Sequence, residues 1–168
     1  MTIFSTGFVC PIGPITLRAS HKGLYEILLC RSPIPGPFLK LTPCLTYWKR
    51  VLRAYFQGTI KIFPKWIDLS WASNFQLKVY EAVTQIPYGY TRSYRDIACS
   101  IGDKSLARAV GAALRYNRLP IVIPCHRVIN KGGQLGGYSA GIALKRYLLK
   151  LEALHSRYII RTNNGDQT

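Results

Sequence analysis

Pro120-Ile121-Val122-Ile123-Pro124-Cys125-His126-Arg127-Val128-Ile129 leaves the chain around it few choices of path. A short Ile/Val run bounded by prolines reads as a buried extended segment, because proline removes a ladder donor and pushes the residue before it toward extended geometry. Cys125 is then delivered on a stiff stem. Adjacent side chains of an extended segment point to opposite faces, so His126 addresses the Cys125 sulfur only through a sharp bend or a relaying water. Taken alone, the decapeptide also fits a buried structural cysteine with an incidental histidine.

Residues 1–32 alternate short apolar runs with Gly and Pro punctuation, which reads as a meander of strands turning at Pro11-Ile12-Gly13-Pro14 and His21-Lys22-Gly23. Ser32-Pro33-Ile34-Pro35-Gly36-Pro37 is a connector, since its prolines remove donors and fix the backbone. Leu45, Trp48, Val51, Leu52, Tyr55 and Phe56 recur at helical spacing and predict one amphipathic helix. Residues 57–74, with the short apolar pieces Ile60-Lys61-Ile62-Phe63 and Trp66-Ile67-Asp68-Leu69, read as an edge strand and linker. A domain boundary is expected there, giving a support domain over 1–70 and a second domain over 71–160, with 161–168 as a disordered tail.

In the second domain, Asn74 is positioned to cap a helix from Phe75, which Pro87-Tyr88-Gly89 ends. Ser93 caps Tyr94 to Ala98, Gly102-Asp103 makes a turn, and Ser105 to Leu114 form a small-residue helix, so the pair has the pattern of a helix-turn-helix. A helix this poor in bulk either packs closely on a neighbour or approaches a nucleic acid. Charge favours the second option, with Arg108 standing amid alanines and Lys104 and Arg115 beside it. The net charge of +16 over 168 residues is spread along the chain, with 9 Lys/Arg against 2 acids in 1–70 and 14 against 5 in 71–168. Such a surface repels itself and seeks a polyanion.

Phe75-Gln76-x-x-Val79-Tyr80, Ile86-Pro87-x-Gly89, Ser93-Tyr94-x-x-Ile97-Ala98, Arg108-Ala109-Val110-Gly111, Asn117, Ile123-Pro124-Cys125-His126-Arg127-Val128 and Gly136-Gly137-Tyr138-Ser139, followed by a helix with Glu152, stand in one order and spacing. In them the chain resembles the O6-alkylguanine-DNA alkyltransferases, over roughly residues 75 to 155. The resemblance implies a mixed α/β (α+β) protein, with a variable N-terminal sheet-plus-helix domain joined to a mostly helical C-terminal domain. It implies single-turnover DNA repair, in which Cys125 takes an alkyl group from O6 of a flipped guanine and keeps it.

By the same resemblance His126 is the base, acting through a water and oriented by Glu152. Asn117 fixes the turn at the active segment, and Tyr94 donates toward the departing guanine. Arg108 fills the space left in the duplex, on a helix whose Lys104, Ser105, Ala107, Gly111 and Arg115 meet DNA. Pro120, Val128, Tyr138 and Ser139 line the base pocket, under a flexible glycine-rich lid. The chemistry is coherent, because a thiolate is a soft nucleophile suited to saturated carbon, and a neutral thiol needs activation. The partner is double-stranded DNA carrying O6-alkylguanine, with no cofactor and no metal. The family commonly has proline directly after the Asn117 position, where this chain has Arg118, which bears on the stiffness of that loop.

Other readings stay open. Ile142, Tyr147, Leu148, Leu151 and Leu154 predict the apolar stripe of the last helix, and Glu152 on it could simply pair with Lys145, Arg146 or His155. A cysteine hydrolase would need the imidazole beside the sulfur, and a lesion sensor would need no acceptor sulfur at all. Cys10, His21, Cys30 and Cys44 could in principle hold zinc, or Cys10 and Cys30 a disulfide. No apolar run reaches the roughly 18 residues of a membrane span, and an intracellular monomer is expected.

Overall fold

The computed structural model describes residues 2–29 and 42–162. Cys30 and the proline-rich connector lie outside the described residues, as do positions 163–168 of the expected tail. The chain divides into two compact units, one of residues 1–73 with Arg118–Pro120 and one of 74–117 with 121–168. The division falls three residues beyond the expected boundary.

The first unit is an antiparallel meander of β1 (Phe4–Cys10), β2 (Gly13–Ser20) and β3 (Gly23–Leu29) with β2 in the middle. Alternation places Ile15, Leu17 and Ala19 of β2 on one face, all fully buried. The helix α1 (Pro43–Phe56) packs against the sheet. Thr42 caps it, accepting from the Leu45 amide, and Pro43 occupies its first turn, where a missing N–H costs nothing. Leu45, Trp48, Leu52 and Tyr55 are fully buried in the predicted helical phase.

Ile60–Phe63 is not a strand. Among the described residues that piece has no ladder partner and Ile62 is exposed, whereas Ile67, in the second apolar piece, makes an isolated parallel bridge to Leu24. That bridge brings the Trp66 carbonyl to within 2.7 Å of where a Cβ on Gly23 would stand, so no side chain fits at residue 23. Arg118 is tied into this unit, its carbonyl accepting from Ile27 N at 2.8 Å and its guanidinium donating to the Tyr25 hydroxyl at 2.8 Å.

The second unit opens with α2 (Asn74–Thr84), so Asn74 is the first helical residue rather than the residue before it. A two-residue strand β4 (Arg92–Ser93) leads into α3 (Tyr94–Ser100). Ser93 caps α3 with a reciprocal pair: its hydroxyl accepts from Asp96 N at 3.1 Å, and the Asp96 carboxylate accepts from Ser93 N at 2.8 Å. Gly102, at φ +108°, makes the turn that an L-residue would resist. A 3₁₀ turn over Lys104–Leu106 then precedes α4 (Ala107–Arg115), so the predicted helix starts in the tighter winding. Val110, Ala113 and Leu114 of α4 face inward, and Arg108, Ala112 and Arg115 lie exposed along the other side.

The Pro120–Ile129 segment is buried as expected but is not extended throughout. Ile121 sits at φ +76°, a left-handed conformation rare for a β-branched residue, and Cys125–Arg127 form a 3₁₀ turn closed by Arg127 N to Pro124 O at 2.9 Å. The chain straightens only at β5 (Val128–Ile129), which pairs in parallel with β4.

The last helix, α5 (Ile142–Thr162), reaches two residues into the expected tail and buries a different stripe from the one predicted. Lys145, Leu148 and Glu152 are fully buried, whereas Ile142, Tyr147 and Leu154 are exposed. Two charged residues on the inner face are the reason. Among the described residues no helix is long and apolar enough to cross a membrane.

Candidate active site

The turn at Cys125–Arg127 supplies the bend that the sequence required of a reactive cysteine beside a histidine. Both residues are buried, Cys125 at 6 % exposure and His126 at 0 %, yet they do not bond to each other. His126 turns to α5, where its Nε2 lies 2.8 Å from Glu152 Oε1. Cys125 turns to Asn117, whose Nδ2 donates to the sulfur at 3.3 Å and to the Ile123 carbonyl at 3.0 Å. One amide thus closes the loop and contacts the nucleophile.

Glu152 is the centre of a buried ion network. Arg127 grips it bidentately, Nε to Oε2 at 2.9 Å and Nη2 to Oε1 at 3.0 Å, while Nη1 donates to the Ile86 carbonyl at 2.7 Å. Gly89 N also donates to Oε2, at 3.1 Å. Burial alone would raise this carboxyl, but His126 and the Arg127 guanidinium hold it down at about 2. It is therefore ionised and only accepts, so the proton between it and His126 sits on Nε2. Burial keeps His126 neutral by pushing its imidazole below the ordinary value, against the pull of Glu152. The free lone pair is then on Nδ1, which is buried and has no hydrogen-bond partner among the described residues.

The Cys125 thiol is raised by burial, partly offset by Asn117, by the charge of Lys145 and by its own backbone amide. The Tyr138 hydroxyl lies against the sulfur and polarises it without completing a well-formed hydrogen bond. The resting group is a protonated thiol that ionises when something accepts its proton. Replacing Asn117 by Ala removes a donor that favours the thiolate and leaves the Ile123 carbonyl with the Cys125 amide, at 2.7 Å, as its remaining donor. The pH at which Cys125 becomes reactive toward iodoacetamide is expected to rise, and denaturant unfolding to show a loss of about 1–3 kcal/mol.

Lys145 approaches from α5, its Nζ 2.6 Å from the Val128 carbonyl, 3.4 Å from that of Gly137 and 5.9 Å from the Tyr94 ring centroid. Burial lowers its ammonium and Cys125 favours it. Neither Lys145 nor Arg127 was assigned a role from the sequence. The signal for Lys145 was its spacing from Leu148 and Glu152, and the structure pairs Glu152 with Arg127 rather than with Lys145, Arg146 or His155. Val128 is fully buried in β5, and Pro120 is buried with the first unit. Neither is among the groove walls.

Cys125 opens into a groove of about 1070 Å³ whose walls include Tyr94, Arg108, Arg115, Tyr138 and Ser139. Ala107 and Gly111 of α4 also face it, whereas the exposed Lys104 and Ser105 lie outside. The Tyr94 ring passes between two glycines: a Cβ on Gly111 would lie 3.7 Å from it and one on Gly136 3.4 Å. Burial, and then Cys125, raise the Tyr94 phenol, so it carries its proton at neutral pH. Among the described residues no cluster of His, Cys, Asp and Glu could hold a metal, and Cys10 and Cys44 are free thiols.

A buried sulfur and an arginine-bearing helix around one groove, with a neutral imidazole of fixed tautomer next to that sulfur in the chain, narrow the choice of relatives. The 6-O-methylguanine DNA methyltransferase, DNA binding domain, matches residues 74–154. The chain is 42 % identical over 149 residues to the methylated-DNA–protein-cysteine methyltransferase of Methanosarcina barkeri, covering 84 % of this chain and 92 % of that one. The chain belongs to this methyltransferase family. The constitutive member from Bacillus subtilis is 44 % identical over 153 residues, covering 86 % and 92 %. The crystal structure of Mycobacterium tuberculosis OGT in complex with DNA superposes with a TM-score of 0.79 at 39 % identity, over 90 % of this chain and 93 % of that one. The mixed α/β architecture with its small antiparallel sheet is therefore shared with the family, and the match includes the N-terminal residues that carried no sequence signature.

Proposed function

We propose that Cys125 is the alkyl acceptor of a single-turnover DNA repair protein, and that His126 Nδ1 takes the thiol proton through a water as the sulfur attacks. Family membership makes the reaction transfer of an alkyl group from O6-alkylguanine in DNA to a cysteine of the protein itself. The single observation that carries the residue assignment is Cys125 at the floor of a groove walled by Arg108, with a histidine beside it whose free lone pair is Nδ1. The sulfur attacks the alkyl carbon, the carbon–oxygen bond breaks, and the electron pair leaves with the guanine. The proton passes to His126, whose imidazolium is stabilised by Glu152. Tyr94 donates toward the purine as it departs.

A sulfur buried this deeply cannot reach into an intact duplex, so the nucleotide must be flipped out, at a cost of a few kcal/mol that is smallest for a poorly paired base. In this reading α3, the Gly102 turn and α4 act as a helix-turn-helix, α4 enters the minor groove and Arg108 occupies the vacated stack. Ser139 and Tyr138 lie in the pocket wall, under the 136–141 loop as its lid. In this reading the protein works as a monomer.

The decisive experiment uses a duplex carrying O6-methylguanine with a tritiated methyl group. Label should move to the protein to a limit of one per molecule, on the peptide that contains Cys125. Label elsewhere, or repeated turnover, rejects the assignment. A hydrolase using Cys125 and His126 is disfavoured, because it needs the imidazole bonded directly to the sulfur, and Nδ1 of His126 makes no hydrogen bond to Cys125.

A further inference from the structure

The groove contains one aromatic ring that the transfer chemistry does not use. Tyr116 follows α4 directly and is 67 % exposed, although it lines the same groove as Arg108, Arg115 and Cys125. Its backbone is fixed: Tyr116 N donates to the Ala113 carbonyl at 3.2 Å, and the next residue is Asn117, which holds the Cys125 loop. The ring therefore hangs from a rigid point near the sulfur while presenting its faces to water. With Arg108 in the vacated stack, phosphate neutralisation would be served by Arg115 alone, because a phosphate gains nothing from an uncharged flat ring. A nucleobase does, since every base has a π-face and stacking on an aromatic ring tolerates any sequence. Cations that follow the backbone beside an aromatic platform are the usual means of holding unpaired nucleotides.

We propose that Tyr116 is a stacking subsite for a nucleobase exposed when the damaged nucleotide leaves the duplex. The inference rests on the base-flipping reading above. Three bases lose a neighbour in that event, the one opposite the lesion and the two that flank it on the damaged strand, and all offer the same π-surface.

The test compares Tyr116→Ala, Tyr116→Phe and wild type in equilibrium binding to a duplex carrying O6-methylguanine, over a range of salt. Tyr116→Ala should weaken binding roughly 5- to 150-fold, the range known for loss of one stacked base. Tyr116→Phe should restore it. Because stacking releases no counterions, the slope of log affinity against log salt should be unchanged, whereas Arg115→Ala should make it shallower. The thermal midpoint of Tyr116→Ala should match wild type. Placing 2-aminopurine opposite the lesion in one duplex, on its 5′ side in a second and on its 3′ side in a third identifies the base, as the fluorescence that brightens with Tyr116→Ala.

Unchanged affinity, no rescue by phenylalanine, or a fall in affinity accompanied by a lower melting midpoint would each overturn the subsite. If wild type itself accepts no label from the duplex, the repair reading fails first. Labelling of wild type with no effect of Tyr116→Ala removes only the stacking subsite.

Discussion

Cys125→Ala protein mixed with tritiated O6-methylguanine duplex is expected to stay unlabelled while still binding the duplex. Among the described residues that line the groove Cys125 is the one thiol, with Asn117 donating to its sulfur and, in the proposed scheme, His126 taking its proton. Contact with DNA would instead be made by the exposed side of α4, whereas the residue that donates to the Cys125 sulfur, Asn117, lies beyond that helix. The substitution also leaves Asn117 Nδ2 its bond to the Ile123 carbonyl, so the loop should keep its path. Gel shift or fluorescence anisotropy in parallel with labelling measures the two properties separately. Loss of both would mean that the thiol is structural and the acceptor lies elsewhere.

Glu152→Ala is expected to be the most destabilising single change in the second unit. It strands the Arg127 guanidinium and removes the partner of His126 Nε2, both buried. Breaking a buried ion pair from one side typically costs about 3–5 kcal/mol. In a chain of this size that corresponds to a fall in melting midpoint of roughly 6–20 °C. Alkyl transfer should slow by about 10²–10⁴-fold, the usual contribution of a positioned general base, because the imidazole loses the contact that fixes its tautomer.

The same network makes stability depend on pH with a definite sign. Glu152 is held at about 2, below its ordinary 4.5, so its contribution is complete above pH 4.5 and is lost as pH falls toward 2. His126 is lowered from 6.5, so the unfolded chain binds its proton first, and stability begins to fall once pH drops below 6.5. Both effects act in one direction. Denaturant unfolding at pH 7, 5 and 3 should show wild type losing stability at each step, with its advantage over Glu152→Ala shrinking in the last.

Local chemistry was legible wherever sequence neighbours decide the outcome. The phase of α1, the Ser93 cap and the Gly102 turn depend on residues within one or two turns of each other, and each stands in the structure at the position its residues imply. Cys125, His126, Asn117 and Glu152 could be brought together only through resemblance, since nothing local links residue 117 or 125 to residue 152. The left-handed Ile121 was invisible because Ile carries no preference for that region, and surrounding burial imposes it. The α5 stripe was misread because periodicity counts apolar residues, and this helix directs Lys145 and Glu152 inward, where distant partners compensate their charge. Ile60–Phe63 carried strand propensity with no neighbouring edge to pair with, and propensity alone does not make a ladder.

Lys145 donates to two carbonyls of unequal grip, Val128 at 2.6 Å and Gly137 at 3.4 Å. The longer bond is the weaker and parts first under load. In the proposed scheme the loop over 136–141 would therefore part from Lys145 before β5 does, and a larger guest would be admitted without disturbing the segment that carries Cys125.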